Sequence, residues 1–156
     1  MKYSQSTELA IESLLFIAAH PEQQDFSVED VAQAQRVSVS YLAKVFQQLV
    51  KSGLLRSHRG AKGGYALARN AGTISLFDIA QVFEGASPLY ECNANAKHCT
   101  LGHKCLIVAT FTRAERAMHD VLRSVTLEEL LKGVWDHSQD AEWVGVGPVA
   151  AVREQV

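Results

Sequence analysis

Between Val31 and Phe77 the chain has no aspartate and no glutamate, yet these 47 residues carry Arg36, Lys44, Lys51, Arg56, Arg59, Lys62 and Arg69. Without local carboxylates this stretch is not the mixed-sign, ion-paired surface of an ordinary globular protein, and a surface so one-sided attracts anions. The whole-chain charge of -2 hides the asymmetry, because the other residues hold the remaining 8 cations and all 17 carboxylates. No apolar run approaches the ~20 residues of a membrane-crossing helix, so neither a span nor a membrane partner is expected. The opening MKYSQSTELAIESLL lacks the basic-then-apolar order of a secretory signal, which points to the cytoplasm. Cysteine is scarce, and three is an odd number that leaves no complete disulfide framework. Internal repeats and low-complexity tracts are missing as well. At 156 residues, 47% hydrophobic and 21% charged, the chain has the composition of a globular domain with a real core.

Helical signals appear in six places. Ile11, Leu14, Leu15 and Ala18 mark a first amphipathic helix from about Glu8 to Ala19, stopped by Pro21. Ser27 followed by Asp30 caps a short second helix that buries Val28, Val31 and Ala32. After a break at Val37–Ser40, a third helix from about Tyr41 to Ser52 places Leu42, Val45, Phe46, Leu49 and Val50 inward and ends at Gly53. Ser75 and Asp78 cap a fourth that ends near Gly85. Beyond an irregular stretch, Ile107, Phe111, Ala114, Met118, Val121 and Val125 form a heptad seam, suited to a long helix that packs on its twin or on its own body. Thr126 and Glu129 cap a last helix through Trp135, and periodicity then disappears.

The polar side of the third helix offers Ser38, Ser40, Tyr41, Lys44, Gln47, Gln48 and Lys51, donors that suit phosphates and, through glutamine, base edges. Two short helices joined tightly, the second apolar on one face and basic on the other, fit a helix-turn-helix, although any surface helix of a bundle alternates in this way. Leu54–His58 and Tyr65–Ala68 then read as strands around Arg59, Lys62, Gly63 and Gly64, a hairpin whose basic, glycine-rich tip suits a sugar-phosphate backbone. The expected partner is double-stranded DNA, and Ser38, Ser40, Tyr41, Lys44, Gln47, Gln48, Lys51, Arg59, Lys62, Gly63, Gly64 and Tyr65 are the expected contacts.

All three cysteines, Cys92, Cys99 and Cys105, fall within 14 residues. Their C-x6-C-x5-C spacing is wider than the close pairs that clamp one zinc ion and suits a larger object such as an iron-sulfur cluster. Zinc stays open, because His98 or His103 could complete a Cys3His site; so do a thiol switch and inert buried cysteines. Three thiolates leave a cluster one ligand short, and Glu8, His98, His103 and water are available. No Cys-His pair with an orienting carboxylate is readable, so no catalytic residue and no enzyme is expected.

The stretch VSVSYLAKVFQQLVKSGLLRSHRGAKGGYALAR, Val37 to Arg69, with its SYL helix start and RGxxGGYxLAR wing, resembles the bacterial winged-helix regulators that include IscR and NsrR, the Rrf2 family. The three-cysteine loop before a long helix is a second match, and the resemblance runs from about residue 1 to 135. It implies a mostly α fold with a small β-hairpin wing: a winged helix-turn-helix head (1-85), a cluster-binding loop (86-105), a dimerisation helix with a following short helix (106-135) and a tail (136-156). It further implies a homodimer on a two-fold symmetric operator, and a 4Fe-4S or, alternatively, 2Fe-2S cluster on Cys92, Cys99 and Cys105. The IscR-like pattern has a histidine three residues after the last cysteine, where this chain has Val108. The NsrR-like pattern uses an acidic residue near the N-terminus of the partner subunit, a place that Glu8 occupies, with His103 as the fallback. A transcriptional regulator, repressing or activating, that senses nitric oxide, redox state or iron is the function so implied, with zinc or thiol-redox regulation as the alternative.

Overall fold

A computed structural model describes residues 2–58, 63–85, 88–92 and 105–136. The order is α1 (Gln5–Ala18), α2 (Val28–Ala34), α3 (Val39–Lys51), β1 (Leu55–His58), β2 (Gly64–Leu67), a 3-10 turn at Ala71–Thr73, α4 (Leu76–Glu84), α5 (Leu106–Ser124) and α6 (Leu127–Asp136). The mostly helical chain with one hairpin expected above is what forms. Arg59, Lys62, His98, Cys99, His103 and the stretch after 136 lie outside the described residues.

Serine starts four of the helices. Ser4, Ser27, Ser38 and Ser75 each accept the backbone N–H three residues on, and such a cap is worth about 1 kcal/mol. At Ser75 the Asp78 carboxylate answers the cap's own N–H, completing a capping box. The capping role of Ser38 corrects the expected break at Val37–Ser40: Val39 and Ser40 already belong to α3. Likewise α1 begins at Gln5, ahead of its apolar stripe, because Ser4 supplies the cap.

One core gathers α1 to α4. Leu14, Val31, Leu42, Phe46, Leu49, Ile74 and Ile79 are fully buried there. After α3, Gly53 at φ +72° turns the chain in a conformation that side chains disfavour, and β1 pairs antiparallel with β2, Leu55 opposite Leu67 and His58 opposite Gly64. Phe26, ahead of α2, adds a bridge to Tyr65, with N–H···O distances of 2.9 and 2.8 Å in the two directions. The hairpin is therefore tied to the body and does not stand free.

α5 leaves this core and α6 returns to it. Val125 lies just past α5, and its carbonyl accepts the Leu76 N–H at 2.9 Å, while Leu127 N–H donates to Ile74 O at 2.9 Å. Leu127 is fully buried, and Leu130 and Leu131 pack on the same core. α5 itself has no buried residue. One side of it meets α4, where the Phe77 ring touches His119 edge-on at 4.9 Å and lies 3.9 Å beneath the Arg123 guanidinium. Much of its apolar seam is left open: Ile107 and Val121 are 55 and 65% exposed, and Phe111, stacked on Tyr90 at 4.7 Å, is 42% exposed.

Gly64 is where the hairpin meets the body, and a Cβ there would lie 2.9 Å from the Phe26 carbonyl oxygen and 3.0 Å from Asp25 Cβ. A backbone oxygen yields poorly, so Gly64→Ala should lower stability by about 1–3 kcal/mol, read as a fall in the urea midpoint. An unchanged midpoint would show that the approach of hairpin to body is not tight.

Candidate nucleic-acid interface and cysteine loop

α3 buries one side and exposes the other. Leu42, Val45, Phe46 and Leu49 are in the core, while Ser38, Ser40, Lys44, Gln47, Gln48 and Lys51 face solvent. Offsets of 4, 7, 8 and 11 from Ser40 put Lys44, Gln47, Gln48 and Lys51 on one stripe, long enough to lie along a groove. α1, α2 and α4 each carry a carboxylate in the first turn; α3 has none. Its positive dipole end is thus left to an external anion such as a phosphate.

The cations divide by what they touch. Arg69 pairs with Asp78 at 3.5 Å, and Arg56 is engaged with the Leu67 carbonyl at 3.3 Å and with His58 Nε2 at 3.2 Å. Among the described residues, Arg36, Lys44 and Lys51 meet no carboxylate. Arg36 closes the α2–α3 turn at φ +56°, a strained position for a non-glycine residue. Its exposure beside α3 makes it a candidate contact that periodicity did not single out. Three expected contacts face inward instead. The Tyr65 ring packs edge-on against Phe46 at 4.9 Å, Gly64 is buried against Phe26, and the half-buried Tyr41 shares a hydrogen bond of 2.8 Å with Ser6 Oγ. Gly63 is exposed. At the loop end of the hairpin ladder His58 Nδ1 lies 3.1 Å from Asp25 Oδ1, a pairing across 33 residues that carries no sequence signal.

Cys92 is exposed and Cys105 buried, both as free thiols. Cys105 sits at the N-cap of α5 without making a side-chain cap bond. Thiol donors of this kind suit a thiophilic metal group. Glu8 is exposed on the first turn of α1. One turn on, the pKa of Glu12 is raised above its ordinary value by burial and, less, by the charge of Glu8. Among the described residues no three histidine, cysteine or acidic side chains converge as a metal site.

The family model Rrf2, an iron-dependent transcriptional regulator, matches residues 3–133. Protein rrf2 of Nitratidesulfovibrio vulgaris is 34% identical over 132 residues, which cover 85% of this chain and 88% of that protein. The HTH-type transcriptional regulator IscR of Xenorhabdus nematophila is 30% identical, over 85% of this chain and 80% of its own length. Among solved structures, CymR, the global cysteine regulator of B. subtilis, superposes with a TM-score of 0.68 at 28% identity, covering 85% of this chain and 97% of that one.

Lys44→Ala and Lys51→Ala should each weaken binding to any duplex and reduce the slope of log affinity against log salt by about 1. Arg69→Ala, whose guanidinium is already paired, should leave that slope alone. Equal slopes in all three variants would remove Lys44 and Lys51 from the phosphate contacts.

Proposed function

The chain belongs to the Rrf2 family of transcriptional regulators, and on that premise we propose that its operator affinity is governed by an iron-sulfur cluster on Cys92, Cys99 and Cys105. The DNA half of this reading is carried by α3, whose apolar side is sealed in the core while Lys44, Gln47, Gln48 and Lys51 stand clear of any described carboxylate. Lysines and the open helix end would take phosphates, and the glutamines would take base edges. Arg59 and Lys62 would extend the contact from the wing.

In this reading the functional unit is a homodimer. The uncovered seam of Ile107, Phe111 and Val121 supports it, since two copies meeting along α5 would remove this apolar surface from water. Two α3 helices would then read a two-fold symmetric operator. Cys92, Cys99 and Cys105 would hold a cluster, 4Fe-4S being favoured and 2Fe-2S the other form, with Glu8 of the second copy as fourth ligand and His103 as the fallback. When bound, such a group supplies a centre that nitric oxide, oxidants or iron shortage can destroy. What the chain's own residues do is mechanical: Glu8 in trans ties α1 of one copy to the cysteine loop of the other. Releasing that tie changes the spacing or tilt of the two α3 helices, and each base contact so lost costs about 1–3 kcal/mol.

The exposure of Cys92, together with the likeness to a cysteine regulator, favours one second reading, in which the same thiols act by redox chemistry or bind zinc. Purification without oxygen separates the two. A cluster protein emerges brown, with iron and acid-labile sulfide, and Cys99→Ser loses both while still folding and dimerising. Colourless protein lacking both, yet competent for DNA, would overturn the cluster and leave the thiol or zinc reading.

Glu8→Ala should alter the visible spectrum or shorten the lifetime of the cluster in air. Spectra and lifetimes matching the parent protein would take Glu8 off the ligand set.

A further inference from the structure

The first turn of α1 is bonded on two sides at once. Towards α3, Ser6 Oγ lies 2.8 Å from the Tyr41 hydroxyl. Towards α4, Ser4 donates to Glu84 Oε1 through its backbone N–H and through its hydroxyl, both at 2.8 Å, and the Thr7 hydroxyl donates to the same oxygen. These bonds from Thr7 and Ser4 hold the Glu84 carboxyl below its ordinary range. Glu84 is the last residue of α4 before Gly85, where the chain turns off towards Cys92. Three side chains of one helical turn therefore join the start of α3 to the end of α4.

The far end of α3 is fixed differently. Leu49 and Leu54 are buried there and Gly53 turns the chain away. Tyr41 stands at the opposite end of a helix ~20 Å long, where a small displacement changes the pitch of the whole exposed face. In a helix-turn-helix the N-terminal residues of this helix meet the bases, so that pitch decides which edges Lys44, Gln47 and Gln48 can reach. Leu42 beside it is packed in the core, and the Tyr41 hydroxyl, spent on Ser6, adds a directional restraint to that packing.

We propose that the first turn of α1 is a bracket that sets the pitch of α3, with Tyr41 and Ser6 as positioning residues for operator reading and Glu84 acting on α3 through α1. The inference rests on the assignment of α3 as the DNA-reading helix and adds what aims it. Because Glu84 heads the segment that carries Cys92, a pull on the end of α4 reaches Ser4 and Thr7 first, and the recognition helix through Ser6.

The test uses the full chain and a duplex selected from a random-sequence pool by the parent protein. Tyr41→Phe and Ser6→Ala should each lower affinity for that duplex about fivefold, the order of one hydrogen bond. The double variant should lose no more than either single one, since each change removes the same bond. Affinity for a scrambled duplex should not change, because no phosphate contact is touched. A loss in Tyr41→Phe with none in Ser6→Ala would mean that Tyr41 touches DNA directly, and it would overturn the bracket. Two silent variants, or an equal loss on the scrambled duplex, would overturn it as well. Amide exchange gives a reading independent of DNA: Tyr41→Phe, Ser6→Ala and Glu84→Ala should all speed exchange from Leu42 to Val45. Should the parent protein select no duplex, the DNA assignment fails by itself and exchange decides the bracket; acceleration confined to α1 in Glu84→Ala overturns it.

Discussion

The burial of one side of α3 is the constraint on which the rest of the molecule depends. Leu42, Val45, Phe46 and Leu49 sit in the core, and each such side chain contributes about 1.5–3 kcal/mol when taken from water. The Ser38 cap adds about 1 kcal/mol. Packing therefore dominates local propensity, and the direction in which Lys44, Gln47, Gln48 and Lys51 point is a property of the core. Tyr65 and Phe26 belong to the same arrangement, the former packed on Phe46 and the latter bridging the hairpin to the body.

Charge is allocated with similar economy. Carboxylates occupy the first turns of α1, α2 and α4, where they complement the helix dipole. α3 does without one, which leaves its N-terminus open. Of the cations in the acid-free stretch, Arg56 and Arg69 are drawn into the hairpin and α4, whereas Lys44 and Lys51 remain available. A count of lysine and arginine would have treated all four alike.

The long helix stands between two demands. Its inner side follows α4 through Phe77, His119 and Arg123, and the chain after it returns to the head, where Leu127 is fully buried. Its outer seam leaves Ile107 and Val121 in solvent and Phe111 covered on one side by Tyr90, and in the reading proposed for this regulator a second copy covers what remains exposed. Cys105 opens α5 and the segment with Cys92 follows the end of α4, so in the same reading a shared cluster would join these two parts.

Local signals sufficed for the helices, the caps Ser27 and Ser75, the hairpin and the basic face, because a period of 3.6, a cap three residues ahead of its partner and a glycine stop are all read over a few neighbouring residues. The same signals misplaced the start of α3, where Ser38 looked like part of a break and proved to be the cap. Family membership was also legible, in the run from Val37 to Arg69. What the amino-acid order left open were the destinations of side chains that meet across long separations: Tyr41 on Ser6, Glu84 on Ser4 and Thr7, His58 on Asp25, Tyr65 on Phe46. Only the packed chain decided these, because a hydroxyl or carboxylate carries no local preference for a partner many residues away, and its role follows from which element the core sets beside it.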